Sequence, residues 1–154
     1  PSDQLVVWDV STGARLYSSR IQGAPAWING IAWAPDGVHI GSVVGQEDGK
    51  LDLIIWNTST DDVSQQWVNV SDEPPANLFF PFKSVAFDPQ GELIAAIIND
   101  HRVGIFSVVS GQQLVTLTHD RASDPIVAMS FSPDGRWLAT VDFSGTIKVW
   151  GITE

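Results

Sequence analysis

The chain has 154 residues, 44% of them hydrophobic and 17% charged, which is enough apolar material for a core, and no apolar run approaches the ~20 residues of a transmembrane helix. Eight basic against eighteen acidic residues give a net charge of −10, which argues against nucleic acid or an anionic membrane surface as a partner. The absence of cysteine excludes disulfides, thiol catalysis and cysteine-based zinc sites.

The predicted elements are short strands, because apolar residues alternate with small or polar ones at a period of two and no stretch offers a helical face. In chain order we predict strands at 5–10 and 15–21, before Pro35, at 39–44, up to Trp56, at 64–70, before Pro89, at 93–98, up to Phe106, at 112–117, before Pro133, and at 137–141 and 146–150. The strands that precede the prolines carry six apolar residues that we expect to be buried: Ile31, Trp33, Val85, Phe87, Met129 and Phe131.

A strand that runs into a Pro-x-Gly turn occurs three times, and this pattern predicts an internal repeat. The turn prolines are 54 and 44 residues apart, and a column of aromatic residues at 8, 56, 106 and 150 advances with them at intervals of 48, 50 and 44. Two landmarks with one period indicate a structural unit that is copied several times. Four antiparallel strands per unit are typical of a β-propeller blade.

We therefore predict an all-β chain, a β-propeller with four-stranded antiparallel blades, of which about three and a quarter are present. Residues 1–21 would form the third and fourth strands of a part-blade, 22–70 a whole blade, 71–118 a whole blade with a long entry loop, and 119–154 a blade without its fourth strand. An open array leaves sheet edges uncovered, and a ring of ~six to eight blades needs roughly twice this length. We expect the remainder of a longer propeller, or a second copy, to close the ring.

The residues SFSPDGRWLATVDFSGTIKVW (130–150) and LVVWDVSTG (5–13), which includes a Trp-Asp pair, resemble the WD-repeat (WD40) family, and the likeness extends over essentially the whole chain. This resemblance implies a propeller whose loops hold protein partners. In the last unit His119, Thr140 and Trp150 match three members of the family's buried hydrogen-bonded tetrad. Ser144 stands where the family's turn aspartate is expected. The resemblance and the aromatic column imply structural roles for Trp8, Trp56, Phe106, His119, Thr140 and Trp150.

The sequence contains no recognisable catalytic pattern: no Gly-x-Ser-x-Gly, no phosphate-binding glycine loop and no His-Glu-x-x-His. Asp36 and Asp134 lie in Pro-Asp-Gly turns, in which proline presets φ and glycine accepts a positive φ. His119 is interpreted as a hydrogen-bonded core group rather than as a base or a ligand. We expect no catalytic residue, no cofactor and no metal site.

The segment SDEPPANLFFPF, residues 71–82, departs from the repeat because this connector carries three phenylalanines between prolines. Either the rings cover the blades, which we favour, or they form an exposed apolar patch. By the resemblance, this connector shares a partner-binding face with the loops 23–27, 46–50, 99–102 and 119–124, where acidic residues outnumber basic ones. The candidate contacts for a partner with a basic segment are Trp27, Glu47, Asp48, Asp72, Glu73, Phe79, Phe80, Phe82, Asp100, Arg102, Asp120, Asp124 and Asp142. The alternative is that these carboxylates only keep the protein soluble.

The sequence thus predicts a soluble protein–protein interaction scaffold without catalytic activity, with the cytoplasm as the favoured compartment. One alternative is the sensory or regulatory propeller of a larger multidomain enzyme. Another is a propeller of the TolB or prolyl-oligopeptidase type, whose repeats also use a Ser-Pro-Asp-Gly turn. The third strands end in three tryptophans and a phenylalanine, and these endings favour the WD-repeat family.

Overall fold

A computed structural model describes residues 4–21, 26–46, 49–60, 63–67, 70, 84–119 and 124–152. Within these ranges the chain forms thirteen β-strands and no helix. The strands are β1 Gln4–Trp8, β2 Arg15–Arg20, β3 Ala26–Trp33, β4 His39–Gln46, β5 Leu51–Asn57, β6 Val63–Trp67, β7 Val85–Phe87, β8 Leu93–Asn99, β9 Arg102–Ser107, β10 Gln113–Thr118, β11 Ile126–Phe131, β12 Trp137–Asp142 and β13 Ile147–Gly151.

The strands pair into four antiparallel sheets, and within each sheet every strand is bonded to its neighbour in the chain. The first sheet holds β1 and β2, the second β3 to β6, the third β7 to β10 and the fourth β11 to β13. The all-β prediction is confirmed. The sheets have the strand order of propeller blades, and the described residues do not close a ring.

The Pro-x-Gly turns join the first two strands of the second, third and fourth sheets. Their glycines, Gly37, Gly91 and Gly135, have φ of 69°, 74° and 74°, a region that residues with a Cβ enter only with strain. The side chain of Asp36 accepts hydrogen bonds from the backbone N–H groups of Val38 (2.8 Å) and His39 (2.9 Å). These turns are therefore held by local chemistry, as the sequence predicts.

The core lies between the sheets, because the second and third sheets each present one apolar face to the sheet before them and the other to the sheet after them. Three clusters fill these spaces. They join Leu5 and Tyr17 to Ile40, Val44, Ile54 and Trp56; Val43, Leu51 and Leu53 to Val85, Ile94, Ala96, Ile98 and Phe106; and Ala95, Ile97, Val103 and Ile105 to Ile126 and Leu138. Three sheet-to-sheet interfaces thus hold the blades in a fixed stack.

The expected burial of Ile31 and Trp33 is wrong, since these side chains are 59% and 51% exposed. Val85 is buried, and Phe87 and its counterparts Met129 and Phe131 are half-buried. Phe87 packs on the second sheet, where a Cβ on Gly41 would come within 2.9 Å of its ring. The first sheet has only two strands within the described residues, and its side chains pack on β4, β5 and Ile28 of β3 but leave Ile31 and Trp33 exposed.

The residues of the aromatic column also differ in how deeply they are buried. Trp56 and Phe106 are fully buried, at 0% and 2% exposure, and Trp150 is partly buried. Trp8 is 57% exposed because it points away from the second sheet, on the opposite side of β1 from Leu5 and Val7. The structural role predicted for Trp8 therefore has no packing partner among the described residues that would bury its ring.

Candidate functional site

The two ends of the sheet stack differ in chemistry. We call the end with the turns at 46–50, 99–102 and 142–146 the loop face, and the opposite end, with Pro35, Pro89 and Pro133, the turn face. On the loop face the backbone oxygen of Asp100 accepts a hydrogen bond from the N–H of Ile126 (2.6 Å), and the oxygen of Pro125 accepts one from Phe143 (2.8 Å). These bonds tie the turn of the third sheet to the entry of the fourth, so that loops of two sheets form one connected surface.

A chain of buried hydrogen bonds lies beneath this surface in the fourth sheet. The indole N–H of Trp150 donates to the hydroxyl of Thr140 (3.0 Å), whose oxygen lies 2.7 Å from Nε2 of His119. Nδ1 of His119 lies 3.3 Å from a carboxylate oxygen of Asp142. Because an ionised carboxylate only accepts hydrogen bonds, Nδ1 of His119 donates to Asp142, and Nε2 shares the second hydrogen bond with the Thr140 hydroxyl. The hydrogen bond expected between His119 and Thr140 is therefore present.

Asp142 supplies the acidic group of this network. Its other oxygen accepts hydrogen bonds from the Ser144 hydroxyl (2.7 Å) and the Thr146 N–H (2.9 Å). The Ser144 hydrogen bond is the largest influence that holds the pKa of Asp142 below its ordinary value; burial opposes it, and Thr146 and His119 reinforce it. The acid thus stands two residues before the position at which the resemblance places it, and Ser144 supports it.

This arrangement corrects the surface role predicted for Asp142. The residue is 5% exposed and both carboxylate oxygens are engaged inside the fold. A partner that docks on the loop face would meet the turn around Asp142, not its carboxylate. We therefore assign Asp142 to the network that ties β12 to the segment before β11.

The second sheet contains part of this network, and the third sheet has apolar residues at the same places. The residues that pair with Ile31, Val85 and Met129 across the first two strands are Ser42, Ala96 and Thr140. In the second sheet the Trp56 indole N–H donates to the Ser42 hydroxyl (2.7 Å). In the third sheet Ala96 and Phe106 take these places within an apolar cluster. Where the hydroxyl is missing the indole is missing too, so no buried N–H is left without an acceptor at this position.

Four of the predicted partner contacts are described and at least partly exposed: Trp27, which is 43% exposed, Asp100, Arg102 and Asp124. Asp100 and Arg102 belong to one turn, and Asp124 lies in the adjoining entry to β11. Eight further candidates lie outside the described residues: Glu47, Asp48, Asp72, Glu73, Phe79, Phe80, Phe82 and Asp120. The packing role favoured for the phenylalanines of 71–82 stays a prediction for the same reason.

The turn face holds a feature that sequence reasoning missed. A cavity of about 250 Å³ lies between the second and third sheets, with apolar walls that include Ile55, Phe87 and Val108. Its polar lining includes Asp36 and His39, whose Oδ2 and Nδ1 atoms are 2.6 Å apart. The His39 side chain, followed by the backbone N–H groups of His39 and Val38, lowers the pKa of Asp36 to about 2. Asp36 is therefore ionised at neutral pH.

Among the described residues, no group of three or more histidine or acidic side chains lies close enough together to bind a metal ion. No helix in the described part of the chain is long and apolar enough to cross a membrane.

Comparison with known proteins finds similarity to proteins with WD repeats. A family model described as "WD domain, G-beta repeat" matches residues 111–151, which include the whole His119 network. The chain is 29% identical over 149 residues to Protein LST8 homolog of Drosophila melanogaster, with 94% of this chain and 44% of that protein covered. It is 26% identical over 186 residues to WD repeat-containing protein 1 of Mus musculus, with 98% of this chain and 30% of that protein covered.

The chain is also 32% identical over 66 residues to Target of rapamycin complex subunit wat1 of Schizosaccharomyces pombe, with 43% of this chain and 21% of that protein covered. The chain thus spans less than half the length of each of these relatives.

Proposed function

We propose that the chain, which is similar to WD-repeat proteins over almost its whole length and matches the family model in a single repeat, is a non-catalytic protein-interaction scaffold. One of its relatives is by name a subunit of a protein complex, which supports a role in assembly. The proposed partner is a protein with a basic segment that docks on the loop face.

The observation that carries this proposal is the way the loop face is fixed. The hydrogen bonds from Ile126 to Asp100 and from Phe143 to Pro125 bind neighbouring loops together, and the buried His119 network lies under them. A partner that meets a preorganised surface loses less free energy in ordering it, so more of the contact energy appears as affinity. A scaffold needs this property, and it needs no reactive group.

Charge favours a basic partner. The chain carries a net charge of −10, and such a field attracts a basic segment over long distances and speeds its association. On the described part of the loop face, Asp100 and Arg102 lie at one turn, Asp124 lies two residues before Ile126, whose N–H binds Asp100, and Trp27 offers a large exposed ring. Aromatic side chains of this kind are common anchors at the centre of protein interfaces.

The test is the association of the chain with an alternating lysine–leucine hexapeptide and with its glutamate–leucine counterpart, measured by biolayer interferometry at low and high salt. We expect binding of the basic peptide alone, with an on-rate that falls as salt is added. Asp124→Asn should slow association. The matched control is Thr116→Lys, which changes the net charge by the same amount on the exposed middle of β10, away from both ends of the sheets.

Equal binding of both peptides, or equal effects of the two substitutions, would contradict a basic partner on the loop face. The scaffold proposal itself would fail if the purified chain turned over a substrate at a site built from its described residues.

A further inference from the structure

We infer that the cavity of about 250 Å³ between the second and third sheets is a second docking point, which takes the side chain of an arginine or a lysine from a protein partner. The inference rests on the proposed function only in that the chain is taken to bind proteins. The cavity lies on the turn face, at the opposite end of the sheets from the loop face.

The size and the walls of the cavity suit one long side chain. Ligand pockets for small molecules have volumes of ~300–1,000 Å³, so this cavity falls just below that range. Ala34, Ile55, Phe87 and Val108 supply an apolar lining, which suits the methylene stem of a long basic side chain. Pro35 of one turn lies against Gly91 of the next, where a Cβ would come within 3.5 Å of the proline ring, so the wall between the sheets is closely packed.

The polar lining selects for a positive charge. Asp36 and His39 lie at this cavity with side chains 50% and 32% exposed, so their polar atoms remain within reach of a ligand. One oxygen of Asp36 accepts two backbone N–H groups, and the other accepts from His39. A carboxylate oxygen accepts about two hydrogen bonds, which leaves the second oxygen of Asp36 able to accept a donor from the ligand. The described lining of this cavity includes no lysine or arginine that would neutralise Asp36.

A wider apolar groove continues the cavity on its other side. This groove has a volume of about 310 Å³, shares Pro35 and Phe87 with the cavity, and is lined also by Trp33 and Phe131. An apolar residue next to the basic residue of the partner can therefore lie across Phe87 in the groove. The preferred ligand is a short peptide in which a basic residue is flanked by aliphatic ones.

The test is an NMR titration of the chain with the peptide Ac-Leu-Arg-Leu-amide and with its isosteric neutral analogue, in which citrulline replaces arginine. We expect the largest amide shift changes at His39, Gly91 and Val108, and an affinity for the arginine peptide about threefold above that for the citrulline peptide, the magnitude of a half-exposed ion pair.

Two substitutions separate charge from shape. Asp36→Asn keeps an acceptor for the turn and should bring the two affinities together. Val108→Phe places a larger side chain at the half-buried wall and should weaken both peptides while leaving the charge unchanged. A circular dichroism spectrum and a thermal midpoint for each variant establish that it is folded.

Equal affinities for the arginine and citrulline peptides, or shift changes confined to the loop face around Trp27 and Asp124, would overturn the inference. In the second case the proposed function would stand, since a basic peptide would still bind where that proposal places it. Shift changes at the turn face that Val108→Phe abolishes, together with tighter binding of the arginine peptide, support the inference whatever occurs at the loop face.

Discussion

Replacing Thr140 with valine tests whether the buried network of the fourth sheet stabilises the fold. The substitution keeps the shape of the side chain and removes the hydroxyl, which leaves the Trp150 N–H and Nε2 of His119 without the partner that joins them. His119 is 2% exposed, so water does not replace the lost bond there, whereas Trp150 is partly buried and its N–H is less costly to leave unpaired.

An unsatisfied buried polar group costs ~1–3 kcal/mol, so we expect Thr140→Val to lower the free energy of unfolding by about 2 kcal/mol. In a domain of this size that loss corresponds to a fall in Tm of roughly 4–8 °C. Urea denaturation followed by circular dichroism measures it. The matched control is Thr116→Val on β10, where an exposed hydroxyl accepts from Gln113 and the expected change is below about 0.5 kcal/mol.

A second substitution in the same background sharpens the result. Trp150→Phe removes the indole N–H that Thr140→Val leaves unpaired, and the pair of changes then resembles Ala96 with Phe106 in the third sheet. We expect the double variant to lose less stability than the sum of the two single variants, by ~0.5–3 kcal/mol. Additive losses, or a Thr140→Val variant as stable as the parent within a few tenths of a kcal/mol, would refute the reasoning.

Three further predictions concern pH, a glycine and the aromatic column. Folding lowers the pKa values of Asp36 and Asp134 to about 2 from 3.8. The ionised carboxylates therefore stabilise the fold above their unfolded pKa, and this stability is lost as the pH falls through about 4 to 2. Tm measured over this acid range should show the loss, and Asp36→Asn should reduce it. Gly111→Ala should lower the stability of the fold to urea more than Gly13→Ala does. Both glycines have φ near +70°, but only at Gly111 would the added Cβ meet a side chain, the Trp67 indole. Equal losses of stability would contradict this packing. Trp56→Phe should lower the urea midpoint and Trp8→Phe should leave it nearly unchanged, since the two tryptophans are 0% and 57% exposed; a large loss at Trp8 would mean that its ring is packed.

The strands were predictable because their signals are local. A short continuous apolar run between two turns marks β8, which the sequence places at 93–98 and the structure at Leu93–Asn99. The Pro-x-Gly turns were predictable for the same reason, since the proline, the aspartate and the glycine each act on their own backbone. A repeat supplies each of these signals three times, which explains why the fold class followed from sequence.

Burial was less predictable because it depends on the neighbouring sheet. Trp33, Phe87 and Phe131 hold the same place in three units and carry the same local pattern, yet Trp33 alone is more than half exposed. The three rings differ in the sheet that faces them, and the local sequence around Trp33 does not indicate which strands that sheet contains. The exposure of Trp8 has the same cause.

The position of the acid in the His119 network could have been found from the sequence. Comparison with the family pattern places it at the turn, where Ser144 stands. The period of two instead puts Leu138, Thr140 and Asp142 on one face of β12, and all three are buried. The alternation rule, applied to the polar residues as well as the apolar ones, indicates Asp142 as the partner of His119.

The cavity on the turn face could not be predicted from the sequence, for a different reason. Sequence reasoning assigns Asp36 to its turn, and this is right, since one of its oxygens binds the backbone of that turn. The same side chain also lines a cavity whose opposite wall, with Phe87 and Val108, belongs to the next sheet, more than fifty residues further along the chain. A periodic sequence describes the unit well because each unit repeats its signals. A site between two units draws half its residues from each, so no single copy of the repeat contains its pattern, and such sites have to be sought in the stacked structure.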